Sequence, residues 1–137
     1  GLGDVYKRQL LNSIKGIGTI NAMNTIIHTN NFQAFETARQ YACYLGIAPF
    51  EHSSGTSIKG KTRVYPTGAK LLKADLSQAA NSAIVWDKEM KEYYERKRKE
   101  GKAYGVVLNA VKFKLVGRMF AVVKRGTPFV ELMTYKK

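Results

Sequence analysis

The sequence predicts an all-α fold: a helical domain with an N-terminal helix-hairpin-helix element and one long basic loop, which has room for a short extended piece at residues 62–65. Three observations predict it. Apolar residues recur at helical spacing along most of the chain. The helical spacing disappears over residues 47–67, where Pro49, Gly55, Gly60, Pro66 and a cluster of serine and threonine take over. The length of 137 residues and the hydrophobic share of 45% suit one folded domain.

The first nine residues match no pattern found later in the chain. They carry no initiator methionine and no signal-peptide pattern. We therefore expect residues 1–9 to be a non-native leader, or a remnant of cloning or assembly, and residues 10–137 to form the domain.

A helix-hairpin-helix element is expected at about residues 10–28. Apolar residues 10–14 lead into Gly16-Ile17-Gly18, and Ile20, Met23, Ile26 and Ile27 then follow at helical spacing. Asn30 and Asn31 end the second helix. A third helix is defined by Phe35, Ala38, Tyr41, Ala42 and Leu45, with Gly46 as its C-cap.

The C-terminal half is expected to hold helices at about residues 68–125, after the loop at 47–67. The first runs from Gly68 and breaks near Asp87, and a charged stretch then continues to Gly101. The last spans about residues 104–123 and ends before Gly126 and Pro128. Its apolar face is expected to be core, with the basic residues lining the other side.

The net charge of +13 points to a polyanion as partner. Nucleic acid is the natural candidate. A membrane span is disfavoured because Lys112, Lys114 and Arg118 interrupt the most hydrophobic run. The single cysteine, Cys43, excludes an internal disulfide and a multi-cysteine zinc site, suits a reducing cytoplasm, and is predicted to be a small core residue.

The glycine turn is the first candidate nucleic-acid site. Gly16 and Gly18 would let a phosphate approach the backbone at the start of the second helix, with Lys15 and Thr19 beside it. An ordinary helix-helix turn is the alternative. The lack of any acidic residue between Val5 and Phe35 favours the phosphate interpretation.

The basic loop is the second candidate. Gly55 after Ser54 permits a sharp turn that would expose the serine hydroxyl to a phosphodiester. Ser53 and Ser57 are competing nucleophiles, and His52 is a candidate base or a solvated side chain. No carboxylate occurs from His52 to Ala74. The cations predicted to contact phosphates are Lys59, Lys61, Arg63, Lys70 and Lys73.

The aromatic residues of the C-terminal half and the carboxylates are the remaining candidates for function. Tyr93 and Tyr94, beside the basic residues 96–99, belong either to a solvated helix face or to a nucleic-acid contact. Trp86 is predicted to be core rather than a base-stacking platform. The carboxylates are scattered singly, so no metal site is predicted in this chain.

The ordered motifs resemble the C-terminal transposase domain of the IS-one-ten and IS-one-one-one-one insertion-sequence family. They are SIKGIGTINA at 13–22, FETARQYACYLGIAP at 35–49, SSG at 53–55, YYERKRKEGK at 93–102 and GTPF at 126–129. The resemblance covers nearly everything after about residue 10. One departure is Lys15, where the family's hairpin usually has proline.

The resemblance implies a DNA recombinase in two parts, working in the bacterial cytoplasm on the nucleoid. An upstream RuvC-like domain, absent here, would bind Mg²⁺ through a DEDD acidic set; this domain, which needs no cofactor of its own, would supply the nucleophile, by position Ser54. It also implies donor and target DNA, a structured noncoding guide RNA and a homo-oligomer as partners. This part alone is expected to be inactive.

Two other functions remain open at this stage. A non-catalytic helix-hairpin-helix module of a repair or recombination protein would bind nucleic acid with the same salt sensitivity. A basic RNA-binding structural protein would bind RNA without strand chemistry. Covalent attachment of DNA to Ser54 separates the transposase from both.

Overall fold

The computed structural model describes residues 3–47 and 67–130. These residues form helices, turns and bends, and none of them lies in a strand. The all-α prediction is therefore confirmed. The predicted extended piece at 62–65 falls outside the described residues.

Helices α1 (Asp4–Asn12) and α2 (Thr19–His28) form the predicted hairpin. Leu10, Leu11 and Ile14 are almost fully buried, and Ala22 and Ile26 on α2 join them in the core. The first helix begins six residues before Leu10. Within this earlier turn the ammonium of Lys7 donates to the Oδ1 of Asn31 at 3.0 Å. That residues 1–9 are non-native stays a prediction.

A tight turn after α2 redirects the chain toward α3 (Ala38–Leu45). Asn30, Asn31 and Phe32 all have positive φ, which asparagine tolerates better than most residues. Thr37 caps α3 by accepting a hydrogen bond from the Gln40 backbone N–H at 3.1 Å. Gly46 ends α3 with φ of 79°, as predicted.

The C-terminal half consists of α4 (Thr67–Trp86), α5 (Lys88–Lys99) and α6 (Tyr104–Arg125). The predicted break between α4 and α5 occurs at Asp87, whose carboxylate accepts from the Met90 backbone N–H at 3.0 Å. The left-handed Gly126 ends α6, as predicted.

Helices α4 and α6 lie at the centre of the molecule, because α4 packs against α2, α3, α5 and α6, and α6 packs against α1, α3, α4 and α5. The buried residues of α6 recur every three or four positions, so one face of the helix enters the core. They are Val107, Leu108, Val111, Lys112, Leu115, Val116, Met119 and Val122. Cys43 is half-buried against this core, in keeping with the prediction of a small packing residue.

Two predictions about burial are wrong. Trp86 is 71% exposed rather than core, because it is the last residue of α4 and the chain turns at Asp87 immediately after it. Lys112 does not line the outer side of the last helix. It is only 7% exposed, because it lies four residues after Leu108 and three before Leu115 on the buried face.

Candidate nucleic-acid interface

The two glycines of the turn have different roles: Gly16 packs against α4, and Gly18 precedes the first residue of α2. Gly16 has φ of +99°, and an added Cβ would lie 2.6 Å from the carbonyl oxygen of Ala79 on α4. Only glycine fits such a close backbone approach at this φ. Gly16 therefore fixes the hairpin against α4. This contact provides a structural reason for the glycine that sequence alone assigned to phosphate binding.

Gly18 and Thr19 lie on the solvent side of the same turn. Gly18 is the N-cap of α2, is exposed, and has no atom within 4 Å of the position of a Cβ. No side-chain oxygen caps this helix, so the N–H groups of its first turn are not used by a cap. Thr19 and Lys15 are exposed beside them. This half of the predicted anion site is open.

Lys70 and Lys73 lie in the first two turns of α4. Lys70 is exposed and Lys73 is half-buried. Three residues separate them, which puts them on one side of the helix. Gly16 meets the same helix at Ala79, about 9 Å farther along its axis than Lys73 at 1.5 Å per residue. The hairpin and the start of α4 are thus neighbouring but distinct parts of one surface.

Asn21 and Asn24 of α2 hold these two parts in register. The Asn21 side-chain amide donates to the Asp75 backbone carbonyl at 3.1 Å, and the Asn24 amide donates to the Asp75 carboxylate at 3.0 Å. Asp75 is the acidic residue nearest in sequence to Lys73. Its carboxylate accepts from the Asn24 amide and forms no ion pair with Lys70 or Lys73 in residues 3–47 and 67–130.

Lys112 is a cation whose burial sequence reasoning missed, since it is only 7% exposed. Burial lowers the pKa of Lys112, and the positive charge of Lys73 lowers it further. Within residues 3–47 and 67–130 no carboxylate pairs with it. The helical spacing from Leu108 to Leu115 was the signal that could have found it, since it puts position 112 on the buried face.

The serine segment itself lies outside the described residues. Ser54, its competitors Ser53 and Ser57, and His52 all fall at positions 48–66, as do Lys59, Lys61 and Arg63. Their assigned roles stay predictions. The described chain resumes at Thr67, three residues before Lys70.

The described residues contain neither a cluster of metal-binding side chains nor a helix able to span a membrane. Nowhere in residues 3–47 and 67–130 do three histidine, cysteine or carboxylate side chains come together to hold a metal ion. None of the helices in those ranges combines the length and apolar character needed to cross a bilayer.

Comparison with known proteins decides the family. Residues 8–95 match the family model described as Transposase IS116/IS110/IS902 family. The chain belongs to this family. The match covers the glycine turn, the serine segment and the start of α4, so both candidate nucleic-acid sites lie within the matched range.

Curated relatives support the same membership. An insertion element IS110 protein from Streptomyces coelicolor is 30% identical over 86% of this chain and 29% of its own length. Pilin gene-inverting proteins from Moraxella lacunata and Moraxella bovis are 27% and 26% identical, each over 90% of this chain and 39% of its own length. The chain therefore spans between about a quarter and two fifths of these relatives.

Proposed function

We propose that this domain is the DNA-binding, nucleophile-bearing part of a transposase whose full-length protein cleaves and rejoins DNA strands, with Ser54 as the nucleophile. The observation that carries the proposal is the family match over residues 8–95, because that range includes the Ser54-Gly55 pair within the basic segment. Relatives described as gene-inverting proteins support a recombination reaction, since inversion requires strands to be cut and rejoined.

The proposed step is a transesterification at phosphorus. The Ser54 Oγ forms a bond to the phosphorus of a phosphodiester while the bond from that phosphorus to one deoxyribose oxygen breaks. Serine gives up one proton and the departing sugar oxygen takes up one, so charge and atoms balance without an oxidant or reductant. The product is a phosphoserine link to DNA, which a second sugar hydroxyl later attacks to rejoin the strand.

The cations of the described surface would assist this step by binding phosphates. Lys70 and Lys73 follow the serine segment directly in sequence. The uncapped start of α2 would receive a neighbouring phosphate through backbone N–H groups.

The metal chemistry is assigned to the part of the protein beyond this chain. In residues 3–47 and 67–130 no three histidine, cysteine or carboxylate side chains come together to bind a metal ion. An upstream RuvC-like domain with bound Mg²⁺, a structured noncoding guide RNA and a homo-oligomeric assembly complete the proposal. The coverage of 29% to 39% of the relatives leaves ample length for such a domain.

The decisive experiment uses Ser54→Ala in the full-length protein. We expect loss of recombination and of any covalent protein-DNA adduct on denaturing gels, because no hydroxyl remains to attack phosphorus. Duplex DNA affinity should stay within about twofold of wild type, since a neutral hydroxyl supplies little of the electrostatic binding. Ser53→Ala and Ser57→Ala are the matched controls and should both retain the adduct.

Other outcomes point to other functions. Adduct formation by Ser54→Ala with its loss in Ser53→Ala or Ser57→Ala would move the nucleophile to a neighbouring residue. Absence of any adduct in the complete wild-type protein, with salt-sensitive DNA binding intact, would favour the non-catalytic binding module. RNA binding with no strand chemistry would instead favour the RNA-binding structural protein.

A further inference from the structure

A half-buried tyrosine between α5 and α6 gathers three cations around its ring. Lys114 of α6 lies 4.6 Å from the centroid of the Tyr93 ring, Arg96 lies 5.4 Å away and Lys97 lies 5.9 Å away. We call these four residues the Tyr93 cluster. Lys114 and Arg96 are exposed, so the charges face solvent while the ring is partly covered.

Arg118 of α6, close to the cluster, has a structural role because two carboxylates bind its guanidinium. One turn after Lys114, the Arg118 guanidinium bonds the Asp87 carboxylate at 2.9 Å and the Glu89 carboxylate at 2.8 Å. Lys114 and Arg96 make no ion pair with any carboxylate in residues 3–47 and 67–130. Two carboxylates therefore neutralise Arg118, whereas no described carboxylate neutralises Lys114 or Arg96.

Helix capping does not explain the whole cluster. Arg96 and Lys97 lie in the last turn of α5, where cations interact favourably with the helix dipole. Lys97 also pairs with the Glu100 carboxylate at 3.4 Å. Lys114 belongs to a different helix, and Lys114 and Arg96 are the two cations of the cluster that lack a carboxylate partner among the described residues. The ring face attracts each cation by about 0.5–1 kcal/mol at exposed sites, but the like charges repel one another. An anion placed above the cluster would relieve that repulsion.

We propose that the Tyr93 cluster is a contact surface for the phosphate backbone of duplex DNA, separate from the serine segment and the start of α4. Single-stranded nucleic acid is usually held by aromatic rings on which bases stack. The Tyr93 ring is half-buried and lies beneath the cations of the cluster, so a base has little room to stack on it. The exposed groups at this surface are the charged ends of Arg96 and Lys114. Duplex DNA presents phosphates outward and keeps its bases stacked, and so matches this chemistry.

This surface deepens the proposed function, because it rests on DNA being the polyanion that the domain binds. It does not depend on strand cleavage by Ser54. Equilibrium binding of DNA can be measured on the 137-residue chain without any chemistry.

The experiment compares two double variants with equal loss of charge. Arg96→Gln with Lys114→Gln removes two cations of the cluster. Lys88→Gln with Lys124→Gln removes two exposed cations from the same two helices, eight and ten residues away along the chain. Fluorescence anisotropy with a 25-base-pair duplex is recorded over a range of NaCl concentrations, with a single-stranded RNA of equal length as the second probe, and circular dichroism melting checks that both variants fold.

We expect the cluster variant to lower the slope of log affinity against log salt by about 1.8 for duplex DNA, because each lost phosphate contact contributes about 0.9. The control variant should keep the wild-type slope to within about 0.4. Equal losses of slope in both variants would mean that the cluster contributes only through net charge, which would overturn the proposal. A loss of binding confined to the RNA probe would overturn the assignment to duplex DNA. If the wild-type chain binds no duplex at all, the proposed function falls with it; if only the contrast between variants is missing, this inference falls alone.

Discussion

At the scale of single residues, Gly16 and Lys112 show how one side chain, or its absence, acquires a role from its neighbours. The glycine in a turn between helices was predictable from the sequence. Its packing against the backbone of Ala79 was not, because that contact joins residues 63 positions apart in the chain. Lys112 was visible as a cation, and its burial beside Lys73 came from the same kind of distant contact.

Gly16→Ala is expected to lower the free energy of unfolding by about 2–4 kcal/mol, since it combines an unfavourable positive φ with overpacking against Ala79. Urea denaturation monitored by circular dichroism measures it. Gly117→Ala is the matched control. Gly117 lies inside α6 with no atom within 4 Å of a Cβ, so alanine there should stabilise the protein by about 1 kcal/mol. Similar stabilities for the two variants would contradict the packing role of Gly16.

At the scale of elements, the junction between α4 and α5 depends on Asp87. The break was predicted because the helical pattern changes there. The structure adds that the Asp87 carboxylate, 1% exposed, caps α5 through Met90 and also binds Arg118 of α6 at 2.9 Å. One residue therefore begins α5 and joins it to α6, which sets the edge on which the Tyr93 cluster lies.

Asp87→Ala should cost about 3–5 kcal/mol, because it removes a cap and leaves Arg118 with the exposed Glu89 alone. Thr37→Ala removes the cap of α3, an exposed hydroxyl that, among the described residues, accepts from Gln40 alone, and should cost about 1 kcal/mol. Thermal and urea unfolding of the two variants tests this difference. Equal costs would mean that the bond to Arg118 adds nothing to capping.

At the scale of the whole molecule, the excess of positive charge influences both stability and binding. A net charge of +13 on one small domain repels itself. Lys91 and Lys97 of α5 pair with Glu95 and Glu100, whereas Lys70, Lys73 and Arg96 have no carboxylate partner in residues 3–47 and 67–130. Salt screens this repulsion. It also weakens attraction to DNA, because counterions compete with the protein for phosphates.

Raising NaCl from 0.05 to 0.5 M is therefore expected to stabilise the free domain by about 1 kcal/mol while lowering its DNA affinity by orders of magnitude. Urea denaturation at each salt concentration measures the first effect, and anisotropy measures the second. The Lys88→Gln, Lys124→Gln variant carries two fewer charges and should gain less stability from salt. A fall in stability with salt in the wild-type domain would show that attractive ion pairs outweigh the net repulsion.

The helices after α1, their ends at Gly46, Asp87 and Gly126, and the family could be predicted from the sequence, because periodicity, caps and ordered motifs are local properties of the chain. Which face of each helix packs against a neighbouring helix depended on the tertiary structure. It buried Lys112, exposed Trp86 and placed Lys114 over Tyr93. Burial and charge pairing depend on residues far apart in sequence, and a helical repeat specifies a face without specifying what that face contacts.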